Sequence, residues 1–160
     1  MLNFRVGLGF DTHAFQKGEF LTIGGVEIPF HYSFKAHSDG DVLVHAIIDS
    51  LLGAAGLKDI GSFFPDNDPK YKDIDSLKLL EITMEKLKEA NWKIGNIDCN
   101  IIIQKPKMAA HIPQMKLNIA KVLNIETSQI GIKAKTSENI GFIGREEGAS
   151  AQAVCLIYKA

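Results

Sequence analysis

At 160 residues the chain has room for one ordinary domain, 1–160, and a domain of this length buries about 68–70% of the surface its unfolded chain exposes, so neither two domains nor covalent staples are required. A composition of 46% hydrophobic and 23% charged residues excludes a disordered, fibrous or membrane-spanning class, and a formal net charge of −1 excludes a nucleic-acid partner held by blanket phosphate neutralisation. The balance is uneven along the chain, because residues 1–80 carry 7 Lys and Arg against 11 Asp and Glu, whereas residues 81–160 carry 11 against 8. An acidic half and a basic half suggest two ligand chemistries.

Residues 4–10 alternate loosely and end at Asp11-Thr12-His13, which predicts a strand. Phe20–Ile23 and Val26–Ile28 flank Gly24-Gly25, the signature of a two-residue hairpin. Ser38 or Asp39 then offers a cap for a helix over Val42–Ala55, which is apolar on most faces and so expected to be buried. Residues 61–73 hold Pro65, Pro69 and four Asp or Asn residues, a loop composition. Ser76 is placed to cap a second helix whose Leu77, Leu80, Met84 and Leu87 share one stripe. Ile97–Ile103 alternates as a buried strand, and Met108, Ile112, Met115, Ile119 and Val122 repeat at helical spacing, with Pro113 tolerated only in a first turn. Residues 128–135 and 149–158 are the last two strand candidates, separated by a stretch punctuated by Gly141, Gly144 and Gly148. The order predicts an α/β fold of the α+β type, a mixed sheet with helices on one face. The other face then needs a partner, for which a second copy of the chain is the economical choice.

Cys99 and Cys155 form no CxxC pair and sit in apolar runs, so they read as reduced, buried thiols of a cytoplasmic protein. The opening MLNFRVGLGF lacks the basic region and long apolar core of an export signal. A plastid-type location would require a transit peptide that had been removed.

Four constellations carry chemistry. Asp11 and His13, at i and i+2 of a strand, project to one side and can meet one ion. His45 sits on the apolar helix with Asp41 and Asp49 one turn either side. Two imidazoles and a carboxylate leave a fourth tetrahedral position open, the pattern of a catalytic zinc site, although the spacing alone favours a hydrogen-bonded core histidine and a D-x-H turn. Ala36-His37-Ser38-Asp39-Gly40-Asp41 sets an imidazole, a hydroxyl and two carboxylates at a helix start, suited to an anion only if a cation intervenes, and otherwise a capped acidic loop. Lys133 to Glu138, followed by glycines up to Gly148, gathers cations, hydroxyls and a carboxylate at a strand end without forming a Walker loop. Gln104-Lys105-Pro106-Lys107-Met108 is of the same kind, and both stretches are also consistent with solvated edges. Phe63-Phe64-Pro65-Asp66 either plugs a core edge or lines a pocket.

Taken together, G-x-G-F-D-T-H (7–13), A-H-S-D-G-D (36–41) with His45, D-I-G (59–61), F-P-D-x-D-P (64–69), P-K-M (106–108) with H-I-P-Q-M (111–115) and K-A-x-T-x-E-x-x-G-F-x-G-R-x-E-G (133–148) resemble, in order and spacing, the 2-C-methyl-D-erythritol 2,4-cyclodiphosphate synthases over nearly the whole chain. The resemblance implies an enzyme that cyclises a cytidine diphosphate substrate, 4-diphosphocytidyl-2-C-methyl-D-erythritol 2-phosphate, with release of CMP. It implies Zn²⁺ on Asp11, His13 and His45, and Mg²⁺ or Mn²⁺ on Glu138 with the substrate phosphates. His37 and Thr136 match positions credited with stabilising the transition state. Ser38, Asp59, Ile60, Gly61 and the loop Phe64, Pro65, Asp66, Asn67 and Asp68 match the methylerythritol phosphate pocket. Ile103, Gln104, Lys105, Pro106, Lys107, Met108 and Ala109, with Lys135 and Ser137, match the cytidine and phosphate contacts. Asp49 is a candidate acceptor behind a ligand imidazole.

Members of that family are homotrimers whose sheets face one another and whose sites lie between subunits, and Phe142, Arg145 and Glu147 match a central channel that in some holds isoprenoid diphosphates. Two positions depart from the family pattern, Lys135 where many members have Thr and Leu8 where a His is common. The alternatives are a catalytically silent trimeric module that keeps the metal and a nucleotide or isoprenoid diphosphate, and a phosphohydrolase giving a linear product.

Overall fold

A computed structural model of the chain describes residues 3–65 and 67–159. The first strand runs much further than the alternation alone predicts, because β1 (Phe4–Lys17) continues through Asp11 and His13. Two partners carry it: β7 (Gly148–Tyr158) pairs antiparallel with residues 4–14, and the short β4 (Tyr32–Phe34) pairs with residues 15–17. The hairpin forms as expected, β2 (Phe20–Ile23) and β3 (Val26–Pro29) joined by Gly24 and Gly25, both at positive φ, the conformation a type I′ turn demands. β5 (Lys93–Ile102) pairs antiparallel with β7 and parallel with β6 (Ile130–Lys135), giving a mixed sheet in the order β4-β1-β7-β5-β6.

Helix α1 (Val42–Ala55) lies across β1 and β7 with eleven of its residues buried. Its cap is Asp41, not Ser38 or Asp39. Asp41 is fully buried, and its carboxylate accepts from the Val44, Gly24 and Gly25 N–H groups at 3.0, 2.9 and 2.7 Å, pinning the hairpin turn to the helix start. Burial, then the charge of Asp39, pushes its carboxyl up to about 6 against those three donors.

The acidic stretch after α1 is less irregular than its composition suggests. A one-turn helix α2 (Ile60–Phe63) is capped by Asp59, and a 3₁₀ turn over Pro69–Tyr71 is capped by Asp68. Helix α3 (Ser76–Glu89) is capped by Asp75, one residue before the expected Ser76, which instead lies buried inside the first turn. Its buried stripe is Leu79, Leu80, Thr83, Met84 and Leu87, and Leu77 is only half-buried. Helix α4 (Ile112–Leu123) carries Pro113 in its first turn, where no helical N–H is forfeited. The Gly-punctuated stretch contains one further turn, α5 (Gly141–Gly144). Cys99 and Cys155 are free and buried, and burial pushes the Cys99 thiol up to about 12.

One face of the sheet is sealed by α1 and its neighbours. On the other, Phe4, Val6, Leu8 and Phe10 alternate down β1 beside Val154 and Tyr158 of β7, all exposed, Leu8 by 70%. Contiguous exposed apolar strips of this kind are uncommon on the solvated surface of a monomer.

Candidate active site

Strand β1 and helix α1 bring three donor atoms together. His13 Nε2 and His45 Nδ1 lie 2.9 and 3.0 Å from Asp11 Oδ2 and 3.1 Å from each other. Two glycines make this possible, because Gly7 and Gly9 let α1 sit against the strand so closely that a Cβ at either position would overlap the carbonyl oxygen of Ser50 or Ala46. Burial alone would raise the Asp11 carboxyl, but hydrogen bonds and charge from His13 and His45 hold it well below the usual carboxylate range. His45 is buried, which opposes its charged form, yet the hydrogen bond and charge of Asp11 lift its pKa above the ordinary 6.5. Two ring nitrogens and a carboxylate oxygen, all mutually within 4.8 Å, are a donor set that suits a borderline dication such as zinc.

Behind the cluster the expected acceptor is replaced. Asp49 Oδ1 accepts the Ile60 N–H at 2.8 Å and so holds α2, not His45. His45 Nε2 instead meets Ser76 Oγ at 2.8 Å and Ser38 Oγ at 3.3 Å. In the sequence Ser76 is readable only as a helix cap and Asp39 as a cap or a member of the acidic 36–41 loop, since nothing in their spacing points to His45.

In front of the cluster opens a cavity of about 300 Å³, lined by Asp11, His13, His37, Ser38 and His45 on its polar side and by Ile60, Gly61, Phe64, Tyr71, Ile74 and Leu79 on its apolar side. The expected pocket residues thus divide. Ser38, Ile60, Gly61 and Phe64 line it, while Asp59, Pro65, Asn67 and Asp68 do not, and Asp66 lies outside the described residues. His37 Nε2 is buried there and makes no hydrogen bond to another described residue.

A second cavity, about 200 Å³, is lined by Ile103, Gln104, Pro106, Lys107, Met108 and Ala109 together with Ala134, Lys135 and Thr136. Lys105 turns away and pairs with Glu146 at 2.9 Å. Beside this cavity Glu138 and Asn139 hold positive φ of 54° and 62°, rare for residues with a Cβ. The turn is kept by Thr136, whose Oγ1 donates to Glu138 Oε1 at 3.0 Å and accepts the Glu138 N–H at 3.3 Å, and by Gln104 Oε1, which accepts the Asn139 N–H at 3.2 Å. Ser137 donates to the Ile140 carbonyl at 2.7 Å. Phe142 is exposed by 41%, and Arg145 forms a two-point ion pair with Glu147.

The two cavities share no residue. His13 is level with Ala149, and Lys135 is level with Ile102 and so with Ser150, but β7 and β5 intervene, so three strand spacings, about 14 Å, separate β1, which carries Asp11 and His13, from β6, after which Thr136 and Glu138 follow.

These features define an α+β protein with an Asp-His-His cluster able to hold a metal and a separate strand-end pocket. The chain belongs to the YgbB family, which matches residues 4–158. Curated relatives named 2-C-methyl-D-erythritol 2,4-cyclodiphosphate synthase include one from Clostridium perfringens, 56% identical over 97% of this chain and 99% of that protein, and one from Halalkalibacterium halodurans, 54% identical over the same shares. Among solved structures, a CDP complex of the Plasmodium falciparum IspF superposes with a TM-score of 0.87 at 37% identity over 99% of this chain and 98% of that one. The bifunctional IspDF of Campylobacter jejuni superposes at 0.95 and 39% identity over the whole of this chain and 43% of that one.

Proposed function

We propose that the chain, as a single domain over 1–160, catalyses the reaction for which its relatives are named. It converts 4-diphosphocytidyl-2-C-methyl-D-erythritol 2-phosphate to 2-C-methyl-D-erythritol 2,4-cyclodiphosphate and CMP, a lyase step of isoprenoid precursor biosynthesis in the cytoplasm. The observation that carries this is the convergence of Asp11, His13 and His45 at the wall of a cavity that His37 also lines. A 2-phosphate oxygen of the substrate forms a bond to the β-phosphorus, the bond from that phosphorus to the bridging oxygen breaks, and CMP leaves with the oxygen. No side-chain nucleophile is consumed, so the protein's contribution is alignment and charge neutralisation.

Asp11, His13 and His45 would hold zinc, and Glu138 a magnesium or manganese ion with the substrate phosphates; when bound, such dications neutralise the developing phosphoryl charge. The free His37 Nε2 is suited to hold the substrate's phosphate or hydroxyl, and Thr136 to orient it at the second half-site. Ser38, Ile60, Gly61 and Phe64 would receive the methylerythritol phosphate, and the Ile103–Ala109 loop with Lys135 the cytidine diphosphate. Lys135 adds a cation there. The 14 Å gap within one chain, about three strand spacings, is closed if the apolar strip on β1 and β7 packs against copies of itself in a homotrimer, each site taking its metal cluster from one subunit and its nucleotide pocket from the next. Phe142 and Arg145 would face the channel of that trimer, where an isoprenoid diphosphate is a further expected ligand.

Product analysis with zinc and magnesium saturating tests the reading: equimolar CMP and cyclic diphosphate are expected. Binding of CDP without CMP release would make the chain a silent module, and a linear product would make it a phosphohydrolase. The assembly has its own measurement. Leu8→Glu places a carboxylate in the centre of the apolar strip and is expected to shift the sedimenting species from trimer to monomer, with turnover falling in proportion; a trimer at wild-type concentration dependence would remove this interface from consideration.

A further inference from the structure

The two ring nitrogens of His45 face different worlds. Nδ1 is 3.0 Å from Asp11 Oδ2 and 3.1 Å from His13 Nε2, whereas Nε2 is 2.8 Å from Ser76 Oγ. Ser76 is fully buried, and its hydroxyl also donates a hydrogen bond to Asp39 Oδ1. A carboxylate only accepts, so the single hydroxyl proton of Ser76 is committed to Asp39, and the Ser76 oxygen is left only to accept from the imidazole. The ring proton of neutral His45 therefore belongs on Nε2, and the Nδ1 lone pair is bare toward Asp11 and His13. Without that arrangement the contest runs the other way. The Asp11 carboxylate, 3.0 Å from Nδ1, is itself a strong acceptor and would draw the proton to Nδ1, where it blocks a metal.

We propose that Ser76 and Asp39 are positioning residues that set the tautomer and ring orientation of His45, keeping Nδ1 open as a ligand. The proposal rests on the reading of Asp11, His13 and His45 as a metal centre. Asp39 is itself held firmly, because its Oδ1 also accepts the Asp41 N–H at 3.1 Å and its Oδ2 accepts the Ser76 N–H at 2.9 Å. The network thus runs from two backbone amides at the α1 and α3 starts, which donate to Asp39, through Ser76, which also donates to Asp39, to His45 Nε2, the ring nitrogen opposite the ligand nitrogen Nδ1. Ser38 Oγ, 3.3 Å from Nε2, is a longer and weaker second acceptor.

Ser76→Ala removes only the hydroxyl link. The backbone N–H of residue 76 keeps Asp39, and α3 keeps its Asp75 cap, so the thermal midpoint is expected to stay within a few degrees. In metal-free protein at alkaline pH, with ¹⁵N-labelled histidine, long-range proton–nitrogen correlation is expected to show the proton of His45 on Nε2 in the wild type and moved to Nδ1 in Ser76→Ala. Zinc affinity, measured by chelator competition with zinc alone, is expected to fall about 10- to 100-fold. Asp39→Asn is read the same way, since an amide cannot accept from all three donors that Asp39 satisfies, and it keeps the test decisive if one variant fails to fold. An unchanged Nε2 proton in the folded variants, or wild-type zinc affinity, overturns the relay. Wild-type protein that binds no zinc overturns the metal reading beneath it, and the tautomer measurement, made without metal, tells the two failures apart.

Discussion

Gly9→Ala is expected to destabilise the protein by more than about 4 kcal/mol, the range reached only when a substitution has nowhere to go. A Cβ on residue 9 would overlap the Ala46 carbonyl oxygen and come within 2.7 Å of the Ser50 amide nitrogen, and both are backbone atoms of α1 that no rotamer change can move. The helix would have to lift off the sheet, away from Ala149, Ala151 and Ala153 of β7, which are fully buried beneath it. For a chain of this length that loss corresponds to a thermal midpoint lower by roughly 8–16 °C. Because His45 precedes Ala46 and Asp11 follows Gly9 by two residues, any lift also opens the Asp-His-His cluster, so zinc affinity should fall with stability. Gly53→Ala supplies the control on the same helix. Nothing lies within 4 Å of its added methyl, and removing a mid-helix glycine is expected to be neutral or to stabilise by up to about 1 kcal/mol. A Gly9→Ala protein as stable as the wild type would show that the helix does not owe its position to that contact.

That contact also marks where the sequence stops being legible. The Gly24-Gly25 hairpin, the buried α1 and the strand at Ile97 are all readable, because each is written in local period or turn chemistry. Strand β4 is not, since three residues carry no period and are held by pairing with β1. The caps of α1 and α3 fall on Asp41 and Asp75 rather than on the Ser38, Asp39 and Ser76 that the sequence suggests, as several Asp and Ser residues precede each helix and only the backbone angle decides which one turns inward. Asp11, His13 and His45 are legible together as a zinc pattern and through the family resemblance, but the close seat of α1 on β1 that joins them depends on the missing Cβ atoms of Gly7 and Gly9, which no local period reveals. Ser76 is legible only as a cap, and Asp39 only as a cap or part of the acidic 36–41 loop, because their links to His45 and to each other join residues distant in sequence and exist only once α1 and α3 are packed together.

His45→Ala is expected to abolish zinc binding and to lower turnover on the order of 10³-fold or more, a few kcal/mol of lost transition-state stabilisation at about 1.4 kcal/mol per factor of ten. The fold should survive. The lost ring is buried and its removal leaves the Ser76 hydroxyl without one partner, a cost of about 1–3 kcal/mol, and the apolar strip proposed to join subunits is on the opposite face of the sheet. Metal content by elemental analysis, CMP release and sedimentation on one preparation separate these effects. His37→Ala gives the complementary result, because His37 touches none of the three donor atoms: zinc should remain at wild-type stoichiometry while turnover falls. If His45→Ala protein, freed of zinc, released CMP at the wild-type rate, the cluster would be a structural hydrogen-bond network and the diphosphate would have to be neutralised by the cations Lys35, Lys107 and Lys135 that border the two cavities. Three exposed lysines give diffuse charge with no fixed direction, whereas in-line displacement at phosphorus needs charge held in one place, which a dication on the Asp-His-His cluster would supply.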